Sequence, residues 1–408
     1  MPSSPDLRRS PLNDEHLALD AVLVNFAGWD MPLRYHSELA EHQAVRTAAG
    51  LFDISHMGEI SVRGPDAAAG LDFALVSAVS RVGLGRAKYT MVCAPSGGIL
   101  DDIIVYRRDW DHFLIVANAS NTAAVVAALE ERLAGHRASV TDESSEIALI
   151  AVQGPRAADI VATMCSRGAD DVYASKYYSW CPVVLEGDIH AMCARTGYTG
   201  EDGFELFVPV ADAVEVWRLA LAVGSPRGLI PCGLSARDTL RLEAGMPLYG
   251  QELSLNVTPF AAGLGRVVQF DAGHPLLPPG IDGAVSMSPV PLERGDFVGR
   301  ASLEEDRRVH ERGVDYDRSA PLYPRQLVGL VADGKRAART DHELFAGAQR
   351  VGRVTSGAPS PTLGVAIAMA FVDANYSKPG TELEADVRGR REPMTVTALP
   401  FYKRDSTP

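Results

Sequence analysis

Two adjacent carboxylates, Asp101 and Asp102, open an apolar run in SGGILDDIIVY, residues 96–106. Side chains alternate across a strand, so only one of the two can face a given cavity. A carboxylate beside Ile-Ile-Val is desolvated, which raises its pKa and suits acid–base or electrostatic work. The spacing alone favours a plainer reading, an Asx-type turn that caps a hairpin. A second stretch, RTGYTGEDGFELF at 195–207, repeats Gly every third residue and sets Glu205 inside an apolar strand. A buried Glu there would grip a ligand with paired N–H donors, such as a 2-amino-4-oxo ring. Pattern alone favours a solvent-facing Glu205. In GLSARDTLRLEAGMPLYGQEL, 233–253, Arg237 and Arg241 stand i,i+4 on one helix face, with Asp238 and Glu243 as partners. Taken alone, that is a solvated, salt-bridged face. NFAGWDMPLRY (25–35) and GLFDISHMGEI (50–60) read as core and turns.

The elements around these stretches define a fold class. IIVYRR and HFLIVAN, joined through Asp109–Asp111, predict a hairpin and an antiparallel sheet. Helices are expected at 36–49, closed by Gly50 at C′, at 65–79, from a cap at Ser120 or Asn121 to about 133, and at 155–165, 211–223 and 234–244. Residues 1–15 are polar and read as loosely packed. Pro- and Gly-rich 271–294 reads as a loop insert, and 310–325 as a polar linker. From Arg325 onward, five or six short strands separated by turn residues predict a small barrel or jelly-roll-like domain. Helices mixed with hairpins make the fold multidomain α+β, with antiparallel sheets and flanking helices, not a doubly wound sheet.

Composition narrows the function. The 408 residues allow two to four domains, and a net charge of −13 argues against a general nucleic-acid binder. No G-x-G-x-x-G opens a helix after a strand and no P-loop is present, so NAD and ATP have no support. The five cysteines lack C-x-x-C spacing and the ten histidines are scattered, which gives no metal site. No signal peptide or membrane-length apolar run is visible, so a cytoplasmic protein with reduced thiols is expected.

Together the motifs resemble the aminomethyltransferases of the glycine cleavage system, the T-protein family. The matching phrases run in family order from about residue 16 to 404: FAGWDMPL, EHQAVR, GLFDISHMGEI, YTMVCAPSGGILDDIIVY, NASN, RTGYTGEDGFE, ARDTLRLEAGMPLYG, GDFVGR, TSGAPSPTLG and LPFYKR. Asp20, Met246, Val365 and the 271–294 insert depart from the family pattern, and none touches Asp102 or Glu205.

The resemblance implies three domains around a central channel for tetrahydrofolate. Residues 1–55 with 230–322 would form a discontinuous first domain, 56–229 the α+β folate-binding domain, and 323–408 the C-terminal barrel. It implies that Asp102 is the essential catalytic aspartate and that Glu205 grips the pterin. Tyr89, Met57, Val116, Asn118 and Tyr198 would line the folate pocket, with Arg237 also in it. One of Tyr402, Lys403 or Arg404 would assist. The implied reaction takes the methylene of an aminomethyl group on lipoylated H-protein to tetrahydrofolate, with no metal. Arg107–Arg108 and Arg388–Arg391 are candidate docking spots for H-protein. The alternative is a tetrahydrofolate-dependent demethylase of a small methylated substrate on the same scaffold.

Overall fold

The computed structural model describes residues 7–271, 294–312, 325–334 and 336–404. The expected insert at 271–294 and linker at 310–325 lie largely outside these described residues. The chain gathers into two compact units, Met1–His56 with Ser145–Glu252 and Leu327–Pro408, and Met57–Ser144 with Leu253–Gln326.

The first unit is built on a seven-stranded sheet. In spatial order its strands are Cys165–Arg167, Trp180–Leu185, Ile189–Ala194, Gly203–Pro209, Ile147–Gln153, Ala49–Asp53 and Leu229–Pro231. All neighbours are antiparallel except the last pair. Helices Ala157–Met164 and Ala213–Gly224 belong to its core because their apolar residues recur at helical spacing. Ile160 and Met164 make one such stripe, and Ala213, Val216, Trp217 and Ala220 the other. Each large side chain buried this fully contributes about 1.5–3 kcal/mol. The same unit carries a closed six-stranded barrel, whose strands run in the order Arg325–Ala332, Ala366–Asp373, Gln349–Pro359, Glu343–Ala346, Glu382–Val387 and Arg390–Thr397. Alternating residues such as Leu383, Ala385 and Val387 fill its interior. The expected C-terminal barrel is therefore present.

A buried carboxylate ties barrel to helices within this unit. Glu243 ends helix Leu234–Glu243 and has no exposed side-chain surface. Its carboxylate accepts hydrogen bonds from Arg46 Nη2 (2.8 Å), Thr362 N (3.0 Å), Thr362 Oγ1 (2.7 Å) and Ser360 Oγ, and His42 Nε2 lies 3.2 Å away. Burial works to raise its pKa, but these donors outweigh burial and hold it at about 2. A depressed carboxyl stabilises the fold above its unfolded pKa, and that contribution is lost as pH falls through the folded one. We expect about 3 kcal/mol of stability to disappear between roughly pH 4.5 and 2. Urea titrations across that range should show the loss, and Glu243→Gln should remove its pH dependence at a cost already present at neutral pH.

The second unit holds a five-stranded antiparallel sheet in the order Ala87–Cys93, Ile99–Asp109, His112–Ala117, Gly58–Arg63 and Ser139–Asp142. Helices Ala67–Ala74 and Thr122–Leu133 cover one face, with Leu71, Val125 and Leu129 against Ile60, Val105, Phe113 and Ile115. The turn before Asp101 is tight. A Cβ on Gly98 would lie 1.9 Å from the Leu255 carbonyl oxygen, and Ile99 N donates to Ser254 O and Val257 O. Only glycine fits there.

Several expectations need correction. Ser10, Leu12 and Asn13 are buried, and Asn13–Ala18 is helical, so residues 7–15 are packed and not loose. Sparse apolar content hid Leu12, which anchors the segment in the sheet core. Gly50 does not close the helix, which ends at Thr47. Gly50 sits in strand Ala49–Asp53, where a Cβ would meet Val45 Cγ2 at 2.5 Å and Cys232 Sγ at 2.7 Å. Arg107 is no docking residue: it is buried and donates to the carbonyls of Ser80 and Val82.

Candidate active site

In the second unit, register places Tyr89 opposite Ile104, Met91 opposite Asp102 and Val116 opposite Ile104. Tyr89, Met91, Asp102, Ile104 and Val116 therefore share the sheet face turned away from the helix-packed core. Asp101 points the other way and is fully buried, while Asp102 is partly exposed. One side chain bridges the two. The Asn118 amide nitrogen donates to Asp101 Oδ1 and Asp102 Oδ1, each at 2.8 Å. Asn118 N donates to Asp101 Oδ2 at 2.9 Å, and Tyr89 O–H donates to Asp102 Oδ2 at 3.0 Å. This is not the hairpin-capping turn that spacing favoured; the carboxylates are held by a strand end 16 residues on.

Burial pushes the Asp102 carboxyl up to about 6, against the opposing pull of the Tyr89 and Asn118 donors. Burial, with Asp102 beside it, pushes Asp101 up to about 7. Both carboxyls are thus raised toward neutrality, and the Asn118 amide links them. Such a pair can exchange a proton at neutral pH and face developing positive charge. Met57 is half-buried at the start of strand Gly58–Arg63 in this unit.

Glu205, Arg237 and Tyr198 belong to the first unit. Glu205 is buried, not solvent-facing, on strand Gly203–Pro209, whose two edges are both paired. Its Oε2 accepts a short hydrogen bond from Thr196 Oγ1. The Arg237 guanidinium lies 4.8 Å from the Tyr198 ring centroid, and burial lowers its pKa against the attraction of Tyr198 and Glu205. Tyr198 O–H donates to Pro247 O. The expected Arg241–Asp238 ion pair forms at 2.8 Å, but the face is not solvated. Arg241 is fully buried and paired with Glu252 at 2.9 Å, which Ser356 also bonds.

The C-terminal candidates separate. The Tyr402 ring lies under the Arg46 guanidinium at 4.0 Å, Lys403 is exposed, and Arg404 Nη1 reaches Asp202 Oδ1 at 3.5 Å. Asp202 itself pairs with Arg195 at 2.6 Å.

Three residues escaped the sequence reading. His56 is buried with the Phe26 ring 5.4 Å away, and burial, with Arg237 near it, holds it neutral at about 4. Its Nδ1 has no hydrogen-bond partner among the described residues. An orphaned ring nitrogen beside Arg237 suits a ligand polar atom. Thr196 supports Glu205. Asn121 was expected as a helix cap, but its amide donates to Asp101 Oδ1 at 2.7 Å and makes no capping bond. A His between two Ser/Met turn positions in DISHM was the only signal for the first. The other two lay in the RTGYTGEDGFE and NASN phrases, where nothing local marked these roles.

Residues 12–272 match the GCVT N-terminal domain family, and 325–403 the glycine cleavage T-protein C-terminal barrel domain family. The aminomethyltransferase of Streptomyces coelicolor is 53% identical, over 98% of this chain and 99% of that protein. That of Streptomyces avermitilis is 51% identical, over 97% and 98%. A crystal structure of the glycine cleavage system aminomethyltransferase T from Bartonella henselae superposes with a TM-score of 0.82 at 33% identity, covering 97% of this chain and 98% of that one. The two matched domains together span about five-sixths of the chain, which belongs to the aminomethyltransferase family of the glycine cleavage system, the T-proteins.

Proposed function

We propose that this aminomethyltransferase takes its one-carbon unit from an aminomethyl group held as a thioether on the lipoyl arm of H-protein and delivers it to tetrahydrofolate. Ammonia and 5,10-methylenetetrahydrofolate form, and the arm departs as dihydrolipoyl thiol. The carbon keeps its oxidation state, so the step balances without an oxidant. Bound folate supplies the accepting nitrogens.

The observation that carries this reading is Asp102: a partly exposed carboxylate, raised toward neutrality by burial and fixed by Tyr89 and Asn118. Asp102 stabilises positive charge as the methylene transfers and holds the proton of an acceptor nitrogen. Tyr89 and Asn118 keep it aimed. Glu205, steadied by Thr196, accepts the paired N–H donors of the pterin. Arg237 and Tyr198 hold the folate, and Met57 and Val116 supply apolar contact. Among the C-terminal candidates we choose Arg404, whose guanidinium lies 3.5 Å from Asp202 in the loop between Tyr198 and Glu205. The exposed arginines at 388–391 are the docking candidates for acidic patches of H-protein. Five free thiols suit a cytoplasmic setting.

The test is ammonia release from aminomethyl-lipoyl H-protein, with and without tetrahydrofolate. Folate-dependent release supports the reading. Folate binding without release would transfer it to a small-molecule demethylase. Glu205→Gln should raise the folate Kd about tenfold or more while kcat at saturation changes less than about threefold. Unchanged affinity by calorimetry would remove Glu205 from pterin recognition.

A further inference from the structure

Three of the five cysteines lie on neighbouring strands of the seven-stranded sheet: Cys165 on Cys165–Arg167, Cys181 on Trp180–Leu185 and Cys193 on Ile189–Ala194. Register sets Cys181 directly opposite Cys193. Residues so placed in an antiparallel pair have Cα atoms about 4.5 or 5.5 Å apart and side chains on one face. Both spacings fall within the Cα separation that a disulfide spans. The two side chains are hydrogen-bonded to each other. Cys165 stands opposite Leu185, and its thiol donates to Val161 O at 3.2 Å.

The opposed thiols differ in access. Cys193 is fully buried in the sheet core, whereas Cys181 is half-buried against it. Ser175 Oγ lies 3.5 Å from Cys181 Sγ. The Cys193 hydrogen bond draws the Cys181 thiol down to about 7, against the opposing effect of burial. The same bond, with burial, pushes Cys193 up. Burial pushes Cys165 up to about 11. The thiolate is the form that attacks an oxidant, so of the three Cys181 is the nucleophile, with Cys193 placed behind it to resolve the product.

We propose that Cys181 and Cys193 form a reversible oxidation site, at which a hydroperoxide converts the opposed thiols to a disulfide. The Cys181 sulfur attacks a peroxide oxygen; the O–O bond breaks, an S–O bond forms, and the other oxygen leaves as water or alcohol. The Cys193 sulfur then attacks Cys181; the S–O bond breaks, the S–S bond forms, and the hydroxide leaves with the Cys193 proton as water. Two thiols lose two electrons and the peroxide gains them; a dithiol reductant reverses the change by exchange. The experiment exposes the reduced full chain to hydrogen peroxide, alkylates the remaining thiols under denaturing conditions and maps the tryptic peptides by mass. Cys181 and Cys193 share the peptide 177–195, and Cys165 lies in 157–167. Peptide 177–195 should become two hydrogens lighter and lose both alkylation sites, and dithiothreitol should restore both. Cys193→Ser should stop Cys181 at the sulfenic acid, trapped by dimedone. Cys181→Ser, at the half-buried position, serves if that core variant does not fold, and its Cys193 should stay reduced. Full alkylation of 177–195 after peroxide, a cross-link joining it to 157–167, or oxidation of Cys193 in Cys181→Ser at the parent's rate would overturn the site.

Discussion

Replacing Asp102 by Asn should lower kcat by about 10²–10⁴-fold while the folate Kd moves less than about threefold. The amide has the same shape, and with its oxygen accepting from Asn118 and its NH2 donating to the Tyr89 hydroxyl oxygen the pocket geometry survives. What disappears is the negative charge and the titrating oxygen. The parent should lose activity as pH falls below about 6, where the carboxylate takes its proton. The variant should lack that acid limb. A second consequence follows from the neighbour: Asp102 is one of the causes that raise Asp101, so Asp101 should titrate lower in the variant. Steady-state rates across pH 5–8, with folate affinity by calorimetry, check the first two points, and an NMR titration of the Asp101 carboxyl checks the third. Equal losses in kcat and affinity, or no loss, would rule out a role confined to the transition state.

The second large effect is on stability. Glu252→Ala should destabilise the fold by about 3 kcal/mol, because it leaves the buried Arg241 guanidinium with only the half-exposed Asp238 as counter-charge. Glu252 has no exposed side-chain surface and accepts from Arg241 Nη1, Leu248 N (3.0 Å) and Ser356 Oγ (2.6 Å). Arg241 also donates to Ser356 Oγ at 2.8 Å, so helix and barrel share one closed network. A double variant, Arg241→Met with Glu252→Leu, should regain much of the loss, since an apolar pair leaves no buried charge. Urea unfolding of the parent, both single variants and the double variant measures the coupling. Additive losses would mean that the pair is not coupled.

The barrel and the Ile99–Asp109 hairpin were legible because period-two alternation and turn residues are local signals. Asp102 and Glu205 were visible as carboxylates in apolar strands, but their surroundings were not. Whether Glu205 meets water depends on which strands flank it, and those come from 147–153 and 189–194. The same holds for Arg241, whose burial is decided by Ser356 in the barrel. Asn121 shows the limit from the other side. An Asn before a helix reads as a cap, yet a buried carboxyl 20 residues earlier takes its amide at 2.7 Å.

Gly98 carries a consequence for how this protein can change over generations. Any side chain at that position collides with the backbone at Leu255, which no rotamer can relieve. Every single-step replacement there first displaces the 254–257 segment that Ile99 bonds, and with it the start of the strand bearing Asp102. Drift at position 98 is therefore blocked until 254–257 has been rebuilt, so the two stretches can diverge only together and in that order.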